Sequence, residues 1–550
     1  GTLRNDVPET LQQIVTKALA KDPDARFKTA GELSAALRSI DRPSKTLGDE
    51  MPSTGTERKG KGTASKLRYT VVGLLLVIGL VMAGRLLLPE GSGAISTLAI
   101  LPFSYENTEG ELGYIADGIP ETVIFRLSQV PGLKIRSLSA VSGYREPRPD
   151  LHKVASDLDV EAVLTGKVFL RNQNLAVVVE LVDAKDNTTI WGHAYSKKLS
   201  DLLAIQKEIT EDILTNLRAE LSGEEQRKVK KGATLNSDAY QAYLKGRFFE
   251  RKRDEVSLRK ALAYYRQAVA LDPDYALAYS GLADTRFLLG VYGFDDHREA
   301  YRQATIAAER AIQIDDEIAE AHTSLGRMLM SSWEFSGAER EYRRALELNP
   351  NYAEAHHLYG YLLSGLGRHA EAINQAQAAL EAEPLSPVMN RGVGTMHFLA
   401  RKYEEAVRFY RICLELNPRS VGALFDLTEI YFHLNRFDDS MAMAEGFLRA
   451  AGNDARADSL KWVYDHQGYQ AGLLQLTKSN DALLNNPYAQ AIVWGLVGDK
   501  EACLRLLEKA VRERTAHIWL NVEPGFDNVR SDPRFAALVK KMFGEREELK

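Results

Sequence analysis

The chain has 550 residues, of which 45% are hydrophobic and 26% are charged, a balance typical of folded globular domains. A chain of this length is too long for one hydrophobic core, so about three or four domains are expected. The formal net charge of −5 argues against a general nucleic-acid-binding protein, which needs a concentrated basic face.

The sequence offers no recognisable set of catalytic or metal-binding residues. Cys413 and Cys503 are too few and too far apart for a disulfide framework or a thiolate site. His322, His356 and His357 invite a metal hypothesis, but no carboxylate or thiol completes a ligand set. The motifs of serine hydrolases, zinc proteases and P-loop enzymes do not occur in a fitting context. We therefore expect no catalytic residue, no metal and no cofactor in this chain.

Residues 1–40 carry two short amphipathic helix patterns separated at Asp22-Pro23. The segment VPETLQQIVTKALAKDPDARFKTAGEL resembles the end of the C-terminal lobe of bacterial Hanks-type Ser/Thr kinases, with Asp22, Pro23 and Arg26 in the matching positions. In that family the arginine pairs with the glutamate of an A-P-E segment, and none precedes Arg26 here. The nucleotide- and metal-binding residues of a kinase cannot fit before Leu11. The resemblance implies a truncated kinase, and the chain as written should not phosphorylate anything.

Residues 41–66 are dominated by Ser, Thr, Gly, Pro and charged residues, which predicts a flexible juxtamembrane linker. Residues 67–89 follow with the uncharged run YTVVGLLLVIGLVMAG. About 20 apolar residues at roughly 1.5 Å each match the hydrocarbon core of a bilayer, so we expect one transmembrane helix in contact with lipid. Basic residues precede this span and acidic residues follow it. The prediction is an inner-membrane, single-pass protein with a cytoplasmic N terminus and an extracytoplasmic C-terminal region.

Residues 95–222 alternate strand-like and helix-like runs, which predicts an α+β domain whose mixed sheet is covered by helices on one side. The segments LAILPF, YIADGIPETVIFRLS, VASDLDVEAVLTGKV and LVDAKDNTTIWGHAYSKKLSDLLAIQKEI resemble the TolB amino-terminal-like (FlgO-like) domain of bacterial membrane regulators. This resemblance implies no catalytic set. Asp117 and Gly118 are interpreted as a turn and a helix cap.

Residues 236–545 repeat with a period of 34 residues. Similar units end at the prolines Pro350, Pro384 and Pro418. Small residues recur in register inside the units, at Gly326, Gly360 and Gly394 in one set and at Ala338, Ala372 and Ala406 in another. A unit of this length with small residues where two helices touch is the tetratricopeptide (TPR) pattern, which predicts an all-α solenoid. The tail, which starts its last helix at Asp532-Pro533, is expected to cap the open apolar end of the solenoid.

In a TPR array the first helix of each repeat lines a concave groove, and this family geometry gives a candidate binding set. Its members are Arg327, Met330, His357, Tyr361, Arg391, Phe398 and Phe432. Aromatic residues mixed with arginine are typical of protein-interface anchors. Arg327 and Arg391 would suit an acidic or C-terminal carboxylate group on an extended peptide. We expect Tyr361, Arg391 and Phe398 to be exposed, so that their replacement by alanine leaves helix content and melting nearly unchanged.

Three interpretations of function remain open. The first is the sensor and scaffold region of a transmembrane Ser/Thr kinase, whose repeats bind a protein or peptide. The second is a cell-envelope adaptor or assembly protein with a vestigial kinase end. The third is a membrane-anchored transcription regulator, although the first 40 residues show no recognition-helix pattern. The upstream coding sequence would distinguish an intact kinase from an immediate start codon.

Overall fold

The computed structural model describes most of the chain after residue 94. The described residues are 95–105, 112–130, 132–141, 143–145, 149–217, 234–478, 484 and 486–544. The kinase-like segment, the linker and the predicted membrane span all lie outside them, so these three assignments stay predictions. Within the described ranges, no helix has both the length and the apolar character needed to cross a bilayer.

The first described region is an α/β domain built on one mixed sheet. Its strands are β1 Thr97–Ile100, β2 Ser104–Tyr105, β3 Lys134–Ile135, β4 Ala162–Arg171, β5 Asn174–Asp183 and β6 Thr189–Lys198. The strand order is β3-β1-β4-β5-β6, with β2 paired to β4. Strand β1 is parallel to β3 and β4, whereas β4, β5 and β6 form antiparallel pairs. The predicted mixed sheet is therefore confirmed.

Helices cover both faces of this sheet. They are α1 Gly113–Leu127, α2 Leu138–Val141, α3 Leu151–Leu158 and α4 Leu202–Asn216. Side chains of a strand point alternately to opposite faces, so Leu98 packs with α1 and α4 whereas Ala99 packs with α2 and α3. The prediction that helices lie on one side only is wrong, because β1 is apolar at every buried position and supplies two cores.

The second region is a stack of helical hairpins. Its helices are α5 Ser237–Glu250, α6 Glu255–Leu271, α7 Ala276–Val291, α8 His297–Ile314, α9 Ala319–Ser331, α10 Phe335–Leu348, α11 Ala353–Gly365, α12 His369–Ala382, α13 Pro387–Leu399, α14 Tyr403–Leu416, α15 Val421–His433, α16 Phe437–Ala450, α17 Asp454–Gln467, α18 Tyr469–Leu476, α19 Pro487–Val497, α20 Lys500–Glu513 and α21 Pro533–Phe543. Two 3-10 turns, Ile518–Asn521 and Pro524–Phe526, lie between α20 and α21.

Local sequence explains where these helices begin and how they pair. Several start at side chains that accept hydrogen bonds from backbone amides of the first turn: Asn236, Asp254, Asp296, Ser386, Asn486, Asp499 and Asp532. In several hairpins the two helices touch at a glycine. A Cβ at Gly326 would lie 2.8 Å from the ring of Tyr342, so the missing side chain makes room for that ring. The predicted TPR solenoid is confirmed.

Candidate partner-binding groove

The first helices of successive repeats lie side by side. Helix α7 contacts α9, α9 contacts α11, α11 contacts α13, and α13 contacts α15. In a TPR array this row of helices forms the concave face, and we call it the groove. The α/β domain and the repeats belong to one compact unit.

The chain's own residues 514–530, which we call the groove segment, lie across this groove. The ring of Trp519 is 4.9 Å from the ring of Tyr361, and its Nε1 donates a hydrogen bond to the backbone oxygen of Tyr361 at 3.3 Å. A Cβ at Gly365 would lie only 2.5 Å from Cγ1 of Ile518. The segment is therefore in close contact with α11, in the middle of the groove.

Both ends of the groove segment are also fixed. The Arg514 guanidinium is 4.5 Å from the ring of Trp333 and donates a hydrogen bond to the backbone oxygen of Ser332 at 3.1 Å. At the other end, Arg401 forms an ion pair with Asp527 at 2.8 Å. The segment thus runs from the corner between α9 and α10 to the corner that follows α13.

The structure places the sequence-predicted binding residues on four neighbouring first helices, α9, α11, α13 and α15. Arg327 is 7% exposed, His357 is 8% exposed and Phe398 is 4% exposed. The other members, Met330, Tyr361, Arg391 and Phe432, are half-buried. The expectation that Tyr361, Arg391 and Phe398 are exposed is wrong, because neighbouring helices and the groove segment cover the set.

Phe432 is not brought together with the rest of the set. Its ring packs against Phe437 and Tyr469, at centroid distances of 6.2 and 5.9 Å. Phe437 begins α16 of the same hairpin, and Tyr469 begins α18 of the next one. The sequence register that placed Phe432 in the groove fails here because the aromatic residue fills a contact between repeats.

The two groove arginines are already paired with carboxylates. Arg327 forms ion pairs with Asp284, at 3.2 Å, and with Glu354. Arg391 forms an ion pair with Asp426 at 2.8 Å. Each partner lies on an adjacent first helix, so the pairs also connect repeats. In this state the arginines do not present free positive charge to an acidic ligand.

Acidic residues of the groove were missed by the sequence reasoning. Burial raises the pKa of Glu320 to about 7 and that of Asp284 to about 6, the latter against the opposing effect of Arg327. Burial also lowers the pKa of His357 to about 4, so its ring is neutral at physiological pH. One signal was available, since Glu320 and Glu354 stand 34 residues apart in the same phase of the repeat.

Two of the histidines that suggested a metal site, His322 and His356, form hydrogen bonds to the turns that precede their helices. In His322 and in His356, Nε2 lies 2.9 Å from the carbonyl oxygen of a residue six positions earlier in the chain. Equivalent places in successive repeats thus carry the same local contact. Among the described residues, no group of three His, Cys, Asp or Glu side chains is arranged to hold a metal ion.

The α/β domain is joined to the first repeat by a partly buried ionic network. Glu121 on α1 forms ion pairs with Arg247 on α5 and with Arg251, which directly follows α5, both at 2.6 Å. Asp117 contacts Arg251 at 3.3 Å. Burial opposes ionisation of Glu121, but the two arginines outweigh it and hold its pKa at about 2. Asp117 and Gly118 lie inside α1 and face α5, so their interpretation as a turn and cap is wrong.

Comparison with known proteins finds similarity to domain families in both regions. Residues 94–212 match the family described as the second domain of HilA/YgeH-like transcriptional regulators. Residues 341–374, 360–418 and 397–461 match tetratricopeptide repeats. The C-terminal region therefore contains tetratricopeptide repeats. The TolB-like resemblance of the α/β domain stays a prediction.

Individual relatives cover parts of the chain. It is 30% identical over 249 residues to a putative adenylate cyclase 3 of Rhizobium meliloti (strain 1021), covering 44% of this chain and 42% of that protein. The chain thus spans less than half the length of this curated relative. Among solved structures, YrrB, a TPR protein with an unusual peptide-binding site, is 25% identical with a TM-score of 0.24, covering 34% of this chain and 90% of YrrB. The type IV pilus biogenesis factor PilW is 17% identical with a TM-score of 0.29, and the match covers 47% of this chain and 98% of PilW.

Proposed function

We propose that this protein is the sensor and scaffold region of a membrane-anchored, receptor-type Ser/Thr kinase, whose repeats bind an extended protein segment in the groove. The kinase-like residues 1–40 and the apolar residues 67–89 support the finer part of the proposal. The observation that carries it is the network of Glu121 with Arg247 and Arg251. This network fixes the first repeat to the α/β domain, which follows the apolar residues 67–89 in the sequence, so a change at the groove can be passed to that domain.

Protease protection tests the topology on which this function depends. Protease added outside intact spheroplasts should digest the region after Gly93 and spare residues 1–66, because basic residues retain the N terminus inside. Lysed spheroplasts serve as the control, in which both regions become accessible. Digestion of residues 1–66 with protection of the repeats would refute the orientation and, with it, an extracytoplasmic sensor.

The match of residues 94–212 favours a second candidate, the outer part of a membrane-anchored transcription regulator. Both candidates use the same α/β domain and groove, and they differ in the output domain that precedes residue 1. Sequencing of the upstream coding region separates them. Kinase catalytic motifs favour the first candidate, a winged helix favours the second, and an immediate start codon favours an envelope adaptor.

A further inference from the structure

We propose that the groove segment is a displaceable internal ligand of the TPR groove, fastened there by a carboxyl pair formed between Glu429 and Glu523. The proposal deepens the proposed function and rests on the groove being the site of partner binding. A partner segment can occupy the groove only after residues 514–530 have left it. The partner chemistry that fits is an extended peptide with consecutive bulky apolar residues, followed by a carboxyl group.

The groove segment has the character of a bound peptide. Apart from two 3-10 turns it is irregular, and its contacts to the groove are made by separate side-chain anchors. Ile518 is 4% exposed, Leu520 is fully buried and Phe526 is fully buried. Peptides bound in helical grooves are held in the same way, by a few apolar anchors that enter pockets.

Two glycines on helices that contact the groove segment make room for it. A Cβ at Gly365 would lie 2.5 Å from Cγ1 of Ile518 and 2.8 Å from its backbone oxygen. A Cβ at Gly495, on α19, would lie 2.1 Å from the backbone oxygen of Gly525. Real Cβ atoms do not approach other atoms so closely, so each glycine leaves space that the segment fills. The two contacts place the segment between α11 and α19.

The carboxyl pair lies where the segment meets α15. Glu429 and Glu523 are each 3% exposed, and the two side chains are within hydrogen-bonding reach of each other. From the described part of the chain, Oε1 of each receives no hydrogen bond. An ionised carboxylate can only accept, so one proton between the two groups supplies the missing donor. Burial, together with the neighbouring acid groups, raises the pKa of Glu429 to about 8 and that of Glu523 well above its usual range.

The positive charge of Arg401 lowers the pKa of both carboxyl groups, but burial and the neighbouring acidic groups outweigh it. His433 Nε2 is 3.5 Å from Glu429 Oε1, but burial lowers the pKa of His433 to about 4, so the ring is neutral above that pH. Arg401 is engaged by Asp527 at 2.8 Å. The charged and titratable groups that face the pair are Asp426 and His433 on α15, Arg401 and Tyr403 after α13, Tyr469 on α18, Tyr488 on α19, and Asp527 and Arg530 in the segment.

The direction of the pH dependence follows from these positions. In the docked state the pair holds a proton up to about pH 8, whereas a released glutamate ionises near its ordinary pKa of 4.5. Docking therefore binds one additional proton between these two values. It is strongest at low pH and weakens by about tenfold per pH unit as the pH rises through this window. The pair acts as a latch that opens toward alkaline pH.

Hydrogen exchange on the full chain tests the latch. The amides of Leu520, Val522 and Glu523 donate only within the segment's own turns, so their protection reports docking. After correction for intrinsic exchange, the wild-type protein should lose at least about tenfold protection between about pH 6 and about pH 8. Glu523→Gln should keep its protection, because a carboxamide donates to Glu429 at any pH. The matched control Glu508→Gln, at an exposed position of α20, should behave as wild type. If Glu523→Gln loses protection in parallel with wild type, the latch is refuted.

Peptide binding tests displaceability. In the double variant Ile518→Ala/Trp519→Ala the segment loses its central anchors, and a fluorescent peptide of residues 514–530 should then bind, whereas a scrambled peptide should not. Adding Gly365→Ala should abolish binding, because its Cβ occupies the space of Ile518. Gly446→Ala is the control, since its Cβ meets only the Leu424 side chain, at 3.3 Å.

Unchanged helical circular dichroism establishes that the variants are folded. A folded double variant that fails to bind the peptide would overturn the internal-ligand proposal. Binding of the peptide supports the internal-ligand proposal. If the peptide binds but no partner protein enters the groove, the proposed function is refuted and the internal-ligand proposal stands.

Discussion

Replacement of Glu121 by glutamine should weaken the joint between the α/β domain and the first repeat. The substitution keeps the size of the side chain and removes the charge that holds Arg247 and Arg251. The pKa of Glu121 is lowered from 4.5 to about 2. At about 1.4 kcal/mol per pKa unit, this corresponds to an upper bound of about 3 kcal/mol. Little discount for solvent screening is needed, since the carboxylate is 16% exposed.

The sign of the pH dependence is fixed by the direction of this shift. A carboxyl group whose pKa is lower in the folded state stabilises that state above its unfolded pKa, and the contribution disappears as the pH falls through the folded value. The wild type and Glu121→Gln should therefore differ by about 2–3 kcal/mol near pH 7, and the difference should shrink below about pH 4.5 and vanish only below about pH 2. Denaturant titration followed by hydrogen exchange in α1 and α5 measures the difference locally, because a chain with several domains need not unfold in one step.

A matched control separates this effect from the general loss of a surface charge. Glu371 pairs with Arg368 three residues earlier and is 56% exposed. Glu371→Gln should cost less than about 0.5 kcal/mol, since exposed ion pairs contribute little. If Glu121→Gln lowers the free energy of unfolding near pH 7 no more than Glu371→Gln does, the ionic network does not hold the domain on the repeats. The same conclusion follows if Glu121→Gln is as much less stable than the wild type in acid as it is near pH 7.

Three other predictions follow from burial and from the missing kinase residues. Phe398→Ala should lower the stability of the C-terminal repeats by about 3–5 kcal/mol in thermal denaturation, and an unchanged melting temperature would contradict its 4% exposure. Gly326→Ala should cost about 1–3 kcal/mol because its Cβ would lie 2.8 Å from the Tyr342 ring. Gly446→Ala, with a nearest contact of 3.3 Å, should be nearly neutral. Purified residues 1–550 should show no ATP-dependent phosphorylation, and transfer that survives deletion of residues 1–40 would reveal an unrecognised active site.

The repeats could be predicted from sequence because their signal is local. A glycine on one helix and a ring on the next recur at a fixed spacing, as in Gly326 with Tyr342. One unit departs from this pattern because it has no aromatic ring at the equivalent position. With Ala376 at the aromatic position, the hairpin closes until a Cβ at Gly360 would lie 3.2 Å from the backbone oxygen of Ala372. In this hairpin the two helices approach each other directly at small residues, with no ring between them.

The occupied groove could not be predicted in this way. Trp519 and Tyr361 are separated by 158 residues, so no periodic pattern connects them. The tail was expected only to cap the open end of the solenoid. Helix α21 does pack on α20, but Phe543 at its end also contacts Phe335, with ring centroids 5.1 Å apart, at the start of α10. The curvature of the whole array brings these distant elements together, and curvature is a property of many small contacts summed along the solenoid.

Self-occupancy also changes how the strength of partner binding should be interpreted. A partner competes with the groove segment, so its apparent dissociation constant is the intrinsic value divided by the fraction of molecules with an open groove. Opening releases the shared proton of the Glu429–Glu523 pair, so that fraction rises by about tenfold per pH unit between about pH 4.5 and about pH 8 while the closed form predominates. Glu523→Gln should then weaken partner binding at alkaline pH without touching any residue of the partner. A modest affinity of the wild-type protein is consequently compatible with a groove of high intrinsic affinity.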